Sequence, residues 1–313
     1  MAESALHDVY VDTLLTAISI GYSNPDYIAP LIAPVVPVPR PTGFIPTYMQ
    51  SDWFRNQAHH RGTGTMSRRG SFNLGTDTYA VKRDSFGFEL ADEVRDATME
   101  PYNMDRDGTL FATDKVLMAQ ELDFSVNYFT TGVWTDAAGY VQWNDYGSST
   151  PLLLLTQALD NIEGRIGREG NTVILGKQVF TTLRWHPDLL DTIKYTQRAI
   201  LTEDLIQSLF GIDRLLIGRG IYTASPEGTP EASVVYQRIW GKHMLVLYNP
   251  PAPSLITPAA IYNFCWMRVP SAQIYLRRFR EESRELDVLE ANGYHDYHVT
   301  SARSAEFYAN IIA

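Results

Sequence analysis

Apolar and polar positions along this chain change period several times, and each change marks an element. From His7 to Ile20 the spacing fits a short amphipathic helix. The next stretch, IAPLIAPVVPVPRP (28–41), is as apolar as a core strand but is broken by Pro30, Pro34, Pro37 and Pro39. Proline fixes φ and lacks an N–H, so this arm is predicted to run extended, close to polyproline II, as neither regular strand nor helix. An extended arm cannot bury Ile28, Leu31, Ile32, Val35, Val36 and Val38 against itself. These side chains need a groove on the same body or on a neighbouring copy. After the arm, which runs to about Pro46, residues 50–76 read as a long exposed loop or ribbon. TYAVKRDSFGFEL (78–90) then alternates as a strand, with Tyr79, Val81, Phe86 and Phe88 as its packing residues.

A long helix is predicted with Asp107 as N-cap and a body from Leu110 to Tyr128. Leu110, Leu117 and Phe124 recur every seven residues, and Val116, Ala119 and Val126 form the adjacent stripe. GVWTDAAGYVQWNDYGSS (132–149) is an aromatic loop. Thr150 as N-cap and Pro151 at the first helical position open a second helix, whose buried face is Leu152, Leu155, Leu159, Ile162 and Ile166. NTVILG is a short buried strand, VFTTL a helix running toward Pro187, and Thr202 caps EDLIQSLF, which stops at Gly211. IDRLLIG is another buried strand, 219–232 a polar loop, and VVYQRIW and HMLVLY read as paired strands. Asn292-Gly293 between LDVLEA and YHDYHV predicts a two-residue hairpin. AEFYANII should pack on the body as a terminal strand or short helix. The whole is an α+β chain.

At 313 residues it has room for two folded units, at roughly 150 residues each. The net charge of −10 argues against a general nucleic-acid binder, which needs clustered cations to displace counterions. It suits a surface that must not hold DNA, such as the lining of a container. The single cysteine, Cys265, excludes an intrachain disulfide and any multi-cysteine metal site. No basic n-region opens the chain, and no apolar run approaches the roughly 20 residues of a spanning helix, so a soluble protein made in a reducing cytoplasm is expected. Charge is unevenly spread. The first 39 residues hold no lysine or arginine, whereas the ribbon carries Arg55, His59, His60, Arg61, Arg68 and Arg69 with no acid between Asp52 and Asp77. Trp53, Phe54 and Phe72 there could stack on nucleic acid, the ribbon could dock on an acidic neighbouring subunit, or it could be a solvated loop. Its length favours function, and the charge contrast favours docking.

Motifs that carry catalysis are missing: no G-x-S-x-G elbow, Walker lysine loop, H-E-x-x-H or dinucleotide fingerprint. His295 and His298 on a strand point to opposite faces and cannot share one ion. His59 and His60 sit in the ribbon, where a solvated or interface role outweighs catalysis. Asp92, Glu93 and Asp96 around Arg95, and RRFREESRELD (277–287), could hold catalytic carboxylates, but alternating signs at this density mark salt-bridged surface or a subunit contact. Cys265 between Phe264 and Trp266 reads as a small buried hydrophobe with a raised pKa. No catalytic residue, cofactor or metal site is expected.

The order of segments carries a resemblance. Residues 148–220, with Ser149–Leu152 opening a helix, Gly170-Asn171 before an apolar strand ending in Gly176, His186-Pro187, Ile193-Lys194-Tyr195 and Leu205–Gly211 before a strand closing at Gly218, resemble the lambda-like major capsid proteins of tailed bacteriophages. YSNPDYIAPLIAPVVPV looks like that family's arm. The resemblance implies the Hong Kong 97-type capsid fold, with residues 1–45 as N-terminal arm and 46–88 as an extended loop lying on an adjacent subunit. Residues 89–149 would hold the first part of a peripheral domain with its spine helix, 150–267 an axial domain with the 219–232 loop near the capsomer centre, and 268–313 the peripheral return. It also implies pentamers and hexamers closing into an icosahedral shell, assembled in the host cytoplasm around double-stranded DNA without sequence-specific binding. Portal and scaffolding proteins would be partners, with a decoration protein a further one, and no membrane is involved. Arg55, Arg61, Arg68 and Arg69 would carry the electrostatic part of assembly, and Ile28, Leu31, Ile32, Val35 and Val36 the hydrophobic part. Some members crosslink through a loop lysine; here Lys82 lies at the ribbon's base and the tip has only arginines, so no crosslink is expected. A nanocompartment shell protein shares the fold and is the nearest alternative. A carboxylate-dependent enzyme and a phage tail or receptor-binding component are alternatives of other classes.

Overall fold

The structure, a computed structural model, describes residues 15–16, 19, 26–48, 50–97, 103–193, 202–253, 257, 259–268 and 272–313. The first of its two five-stranded sheets is organised around one long strand, Leu286–Val299. Ile274–Glu281 and Lys82–Ala91 pair antiparallel with it on either side. Its last residues pair with Ile261–Cys265, and Val35–Pro37 of the arm runs parallel to that strand at the sheet's edge. The predicted hairpin at Asn292-Gly293 is therefore wrong: the strand passes straight through. Asn292 is buried, and its side-chain oxygen accepts from Arg83 Nε at 2.7 Å. At Gly293 a Cβ would come within 3.1 Å of Val116 Cγ1, so the glycine serves close approach of a helix and not a turn.

That helix, Met104–Asn127, lies across the sheet and buries Ala112 and Val116 against Leu276, Leu289 and Ala291. Its cap is Asn103, which accepts from Arg106 N at 3.0 Å, and not Asp107, which falls in the first turn. The buried stripe is also rotated from the predicted one. Thr109, Thr113, Gln120 and Glu121 are buried, whereas Val126 is exposed. Polar residues on the inner face hid it from a hydrophobic reading. Of the predicted His7 to Ile20 helix, only residues 15, 16 and 19 are described, and they are helical.

The second sheet runs Thr135–Asp136, Ala305–Tyr308, Met244–Leu247, Thr172–Gly176, Arg214–Gly218. Helices Pro151–Ile166, Lys177–Arg184, Pro187–Ile193 and Glu203–Phe210 cover it, and the predicted apolar face of the first supplies Leu155, Leu159, Ile162 and Ile166 to their common core. Thr202 caps the last of them by accepting from Leu205 N at 3.4 Å, and Gly211 ends it at φ +66. HMLVLY and VVYQRIW do not pair. Met244–Leu247 is wholly buried and takes a central place, while Tyr236–Arg238 is exposed and pairs with Ile221–Thr223. Gly218 closes its strand where a Cβ would stand 2.1 Å from Trp240 Cγ.

A third cluster, with Phe124, Phe129, Trp240, Leu245, Leu247, Ile261, Tyr297 and Phe307, joins the two sheets. The expected division at 267 is crossed in both directions: Ile261–Cys265 belongs to the first sheet, and Ala305–Tyr308 to the second. Outside both sheets stands the ribbon, Thr42–Tyr48 paired with Leu74–Ala80, with a one-turn helix Gln50–Trp53 near its tip.

Candidate assembly surfaces

The ribbon is stiff at its root and unsupported at its tip. Tyr79 is buried and stacks on Phe264 at 5.1 Å between centroids. Ala80 N donates to Asp296 Oδ2 at 2.9 Å, Val81 N to Pro41 O at 2.8 Å, and His298 Nε2 lies 3.0 Å from Asp77 Oδ2. Toward the tip, order comes from local contacts: Trp53 against Phe72, Asn73 N to Asp52 Oδ2 at 2.9 Å, and Arg68 against His59. Gln50 Nε2 donates to Arg165 O at 2.6 Å, and beneath it a cavity of about 700 Å³ opens between Ile45, Trp53, Phe54, Ile166 and Phe264. Arg55, His59, His60, Arg61, Arg68 and Arg69 are all exposed. Among the described residues none of these four arginines pairs with a carboxylate. Phe44 and Met66 are 78% and 90% exposed on the same ribbon. Cationic and apolar side chains left bare together on a two-stranded projection mark a surface that lacks its counterpart.

The arm lies on its own subunit. Ile28 and Ile32 are buried in the cluster that joins the two sheets, so they offer no surface to a neighbour. Leu31 is 54% exposed, and Val35 and Val36 are half-buried. The arm is also not wholly irregular: Ala29–Ile32 forms one helical turn with its proline near the start, and Val35–Pro37 an edge strand, both tolerated positions for proline. Glu121 of the long helix holds the turn. It accepts from Ile28 N at 3.0 Å, Ala29 N at 2.7 Å and the Trp240 indole. Burial pushes this carboxyl above its ordinary range even though these donors pull the other way. Asn249 Nδ2 completes the seat by donating to Ile32 O at 2.9 Å. Nothing in the sequence singles out Glu121, because a single acid in a helix reads as a solvated one.

The charge-dense stretches come together as ion pairs. Asp287 receives Arg95 Nη2 at 2.7 Å and Arg278 Nη2 at 2.6 Å, and Arg280 grips Asp92 at 2.6 Å and 2.9 Å. Arg284 does the same to Glu89 at 2.7 Å and 2.9 Å. Burial pushes the Asp287 carboxyl up, but hydrogen bonds from Arg278 and Arg95 outweigh it and hold it at about 2. A carboxyl depressed from 3.8 contributes stability that is complete above pH 3.8 and is lost as pH falls through about 2. The expected result is an acid-induced loss of about 2 kcal/mol between pH 4 and pH 2 that Asp287→Asn removes, read by denaturant unfolding across that range. Carboxylates spent in this way are not poised for acid–base work.

Ser149 and His186 form a contact that sequence reasoning missed. His186 Nδ1 accepts from Asp188 N at 3.2 Å, so Nε2 carries the proton and donates to Ser149 Oγ at 2.8 Å. The hydroxyl in turn donates to Asp145 O at 2.6 Å. The imidazole faces the serine as a donor, the wrong sense for activating a nucleophile. Cys265 is buried, and burial pushes its thiol up to about 12. Native protein at pH 8 should therefore resist alkylation at Cys265, and unfolding should restore it, as measured by mass. Among the described residues no helix is long and apolar enough to cross a membrane.

No protein-family model matches the chain. It is 24% identical over 245 residues to the major capsid protein of Burkholderia phage BcepMu, covering 77% of this chain and 76% of that one. It is likewise 24% identical over 246 residues to the major capsid protein of Pseudomonas phage JBD67, covering 76% and 77%. Among solved structures, a phage-related protein from Bordetella bronchiseptica RB50 superposes with a TM-score of 0.73 over 96% of this chain and 97% of that one, at 18% identity. The capsid structure of Cyanophage P-SCSP1u matches with a TM-score of 0.56 over 88% and 85%, at 9% identity. The chain thus has the Hong Kong 97-type capsid fold, with mixed α and β content, and over about three quarters of its length it is similar in sequence to two bacteriophage major capsid proteins.

Proposed function

We propose that copies of this subunit assemble through pentamers and hexamers into an icosahedral shell around a double-stranded DNA phage genome. The observation that carries the reading is the ribbon, whose exposed arginines pair with no carboxylate among the described residues and whose Phe44 and Met66 stand bare. In this reading the sheet built on Leu286–Val299 with its long helix is the peripheral domain, and the helix-covered second sheet the axial domain. The Ile221–Thr223 and Tyr236–Arg238 ladder then stands near the capsomer centre. Arg55, Arg61, Arg68 and Arg69 engage an acidic neighbour, and Leu31 with the outer faces of Val35 and Val36 is the part of the arm left for a neighbour. Individually weak contacts add up over many copies. Portal and scaffolding proteins are the further partners this role implies, with a decoration protein an optional addition.

Sedimentation velocity and negative-stain microscopy of the purified chain test the reading. Closed shells, or discrete pentamers and hexamers, support it; a stable monomer that stays so when a scaffolding protein is supplied overturns it. Curated sequence relatives from phages favour this reading over an enzyme-filled compartment, and packaged DNA against enzyme cargo separates the two.

A further inference from the structure

At the root of the ribbon, strand Lys82–Ala91, the end of helix Met104–Asn127 and strand Leu286–Val299 enclose a pocket of about 330 Å³. Asp84, Asp123, Asp296, Lys82, Asn127 and His295 line it. Three carboxylates against one ammonium leave it acidic. His295 is only 4% exposed. Its Nε2 lies 3.7 Å from Asp123 Oδ2, and its Nδ1 lies 3.1 Å from Asp84 Oδ2 yet has no aligned hydrogen-bond partner. A neutral imidazole has one N–H for two flanking carboxylates, so one ring nitrogen faces a carboxylate oxygen with no proton between them. Asp296 spends Oδ2 on Ala80 N and keeps Oδ1 for the pocket, whereas Asp123 spends Oδ1 on Asn127 Nδ2 and turns Oδ2 toward His295.

Among the described residues these side chains do not converge as a metal site requires. A planar cation with several N–H donors fits better: it can give hydrogen bonds to more than one carboxylate at once. The chain itself carries such groups, bare, on the ribbon. Within the subunit the ladder from Ala80 to Leu74 runs roughly 20 Å away from the pocket, and among the described residues none of the ribbon's arginines pairs with a carboxylate. We infer that the pocket lined by Asp84, Asp123, Asp296 and His295 receives a ribbon arginine, Arg61, Arg68 or Arg69, from a second copy of the chain. The inference rests on the shell-assembly reading above and gives it a receiving site. Each subunit then anchors a neighbour's tip at the root of its own ribbon, and successive ribbons engage one another in a chain.

Disulfide trapping tests it. Asn127 is exposed at the rim, and Asn127→Cys gives up its hydrogen bond to Asp123 but keeps the three carboxylates. This variant is co-expressed with Arg61→Cys, Arg68→Cys or Arg69→Cys on a second copy, treated with a mild oxidant, and read on a denaturing gel under non-reducing conditions. A dimer with at least one partner, absent from each variant alone and reduced at least tenfold when the Asn127→Cys copy also carries Asp123→Asn and Asp296→Asn, is the expected result. Microscopy of the same sample separates the failures. Shells without the dimer overturn the pocket and leave assembly by the ribbon standing. Neither shells nor dimer overturns both.

Discussion

Reversing two charges at the ribbon tip, Arg68→Glu with Arg69→Glu, should abolish shell formation while leaving the subunit folded. Both side chains are exposed and neither pairs with an acid among the described residues, so their reversal gives up only the local Arg68–His59 contact at the tip and leaves the cores untouched. Exposed single pairs are worth only about 0.2–1 kcal/mol, so one neutralised arginine would be a poor test. Reversal does more, because it turns attraction into repulsion against an acidic chain, and the change repeats in every copy. Circular dichroism and a thermal melt should match the parent, while sedimentation shows only unassembled protein. Normal shells from this variant would sink the docking idea. Salt should mimic the variant in part, since screening shortens to about 8 Å near physiological ionic strength and further above it.

Glu121→Ala is expected to give the largest loss of stability of any single polar change, about 3–5 kcal/mol. The carboxylate serves Ile28 N, Ala29 N and the Trp240 indole at once, and each buried donor left without an acceptor costs about 1–3 kcal/mol. The first structure to go should be the arm, with chymotrypsin cutting after Tyr27 or Leu31 before global unfolding. Glu121→Gln retains an acceptor oxygen and should keep the arm seated. It should also alter the pH response. Because burial raises the Glu121 carboxyl above 4.5, its contribution is complete below pH 4.5 and declines as pH rises through the raised value. That slope is opposite in sign to the one from Asp287, and the glutamine variant should lose it. Denaturant unfolding of both variants at pH 5 and pH 7, with limited proteolysis, measures each effect.

Elements whose determinants are local were legible in the sequence. Thr202 and Gly211 bracket one helix, Pro151 opens another, and an all-apolar run between turn residues became Thr172–Gly176. The ribbon was legible through charge, since a stretch of 24 residues without an acid in a chain of net charge −10 stands out. What failed depended on tertiary partners. Asn292-Gly293 carries the signature of a turn, yet the glycine is required by Val116 crossing above it. The buried stripe of the long helix was misplaced because Glu121 and Gln120 face inward to meet groups more than 90 residues away in sequence. The acidic pocket draws its carboxylates from three segments, none of them conspicuous alone.

Along the arm strand, alternate positions face opposite ways. Pro34 O and Val38 N are bonded to the neighbouring strand, at Asn263 N and Cys265 O, so positions 35, 37 and 39 turn their backbone outward. Two of those three are Pro37 and Pro39, which have no proton to offer. On the shell-assembly reading, a protein that gathers in many copies thus ends one sheet in a border that is nearly mute as a template for further strands. Fibril-like growth along that border is suppressed before assembly begins, and copies are left to recognise one another through side chains, whose geometry closes a surface instead of extending a line.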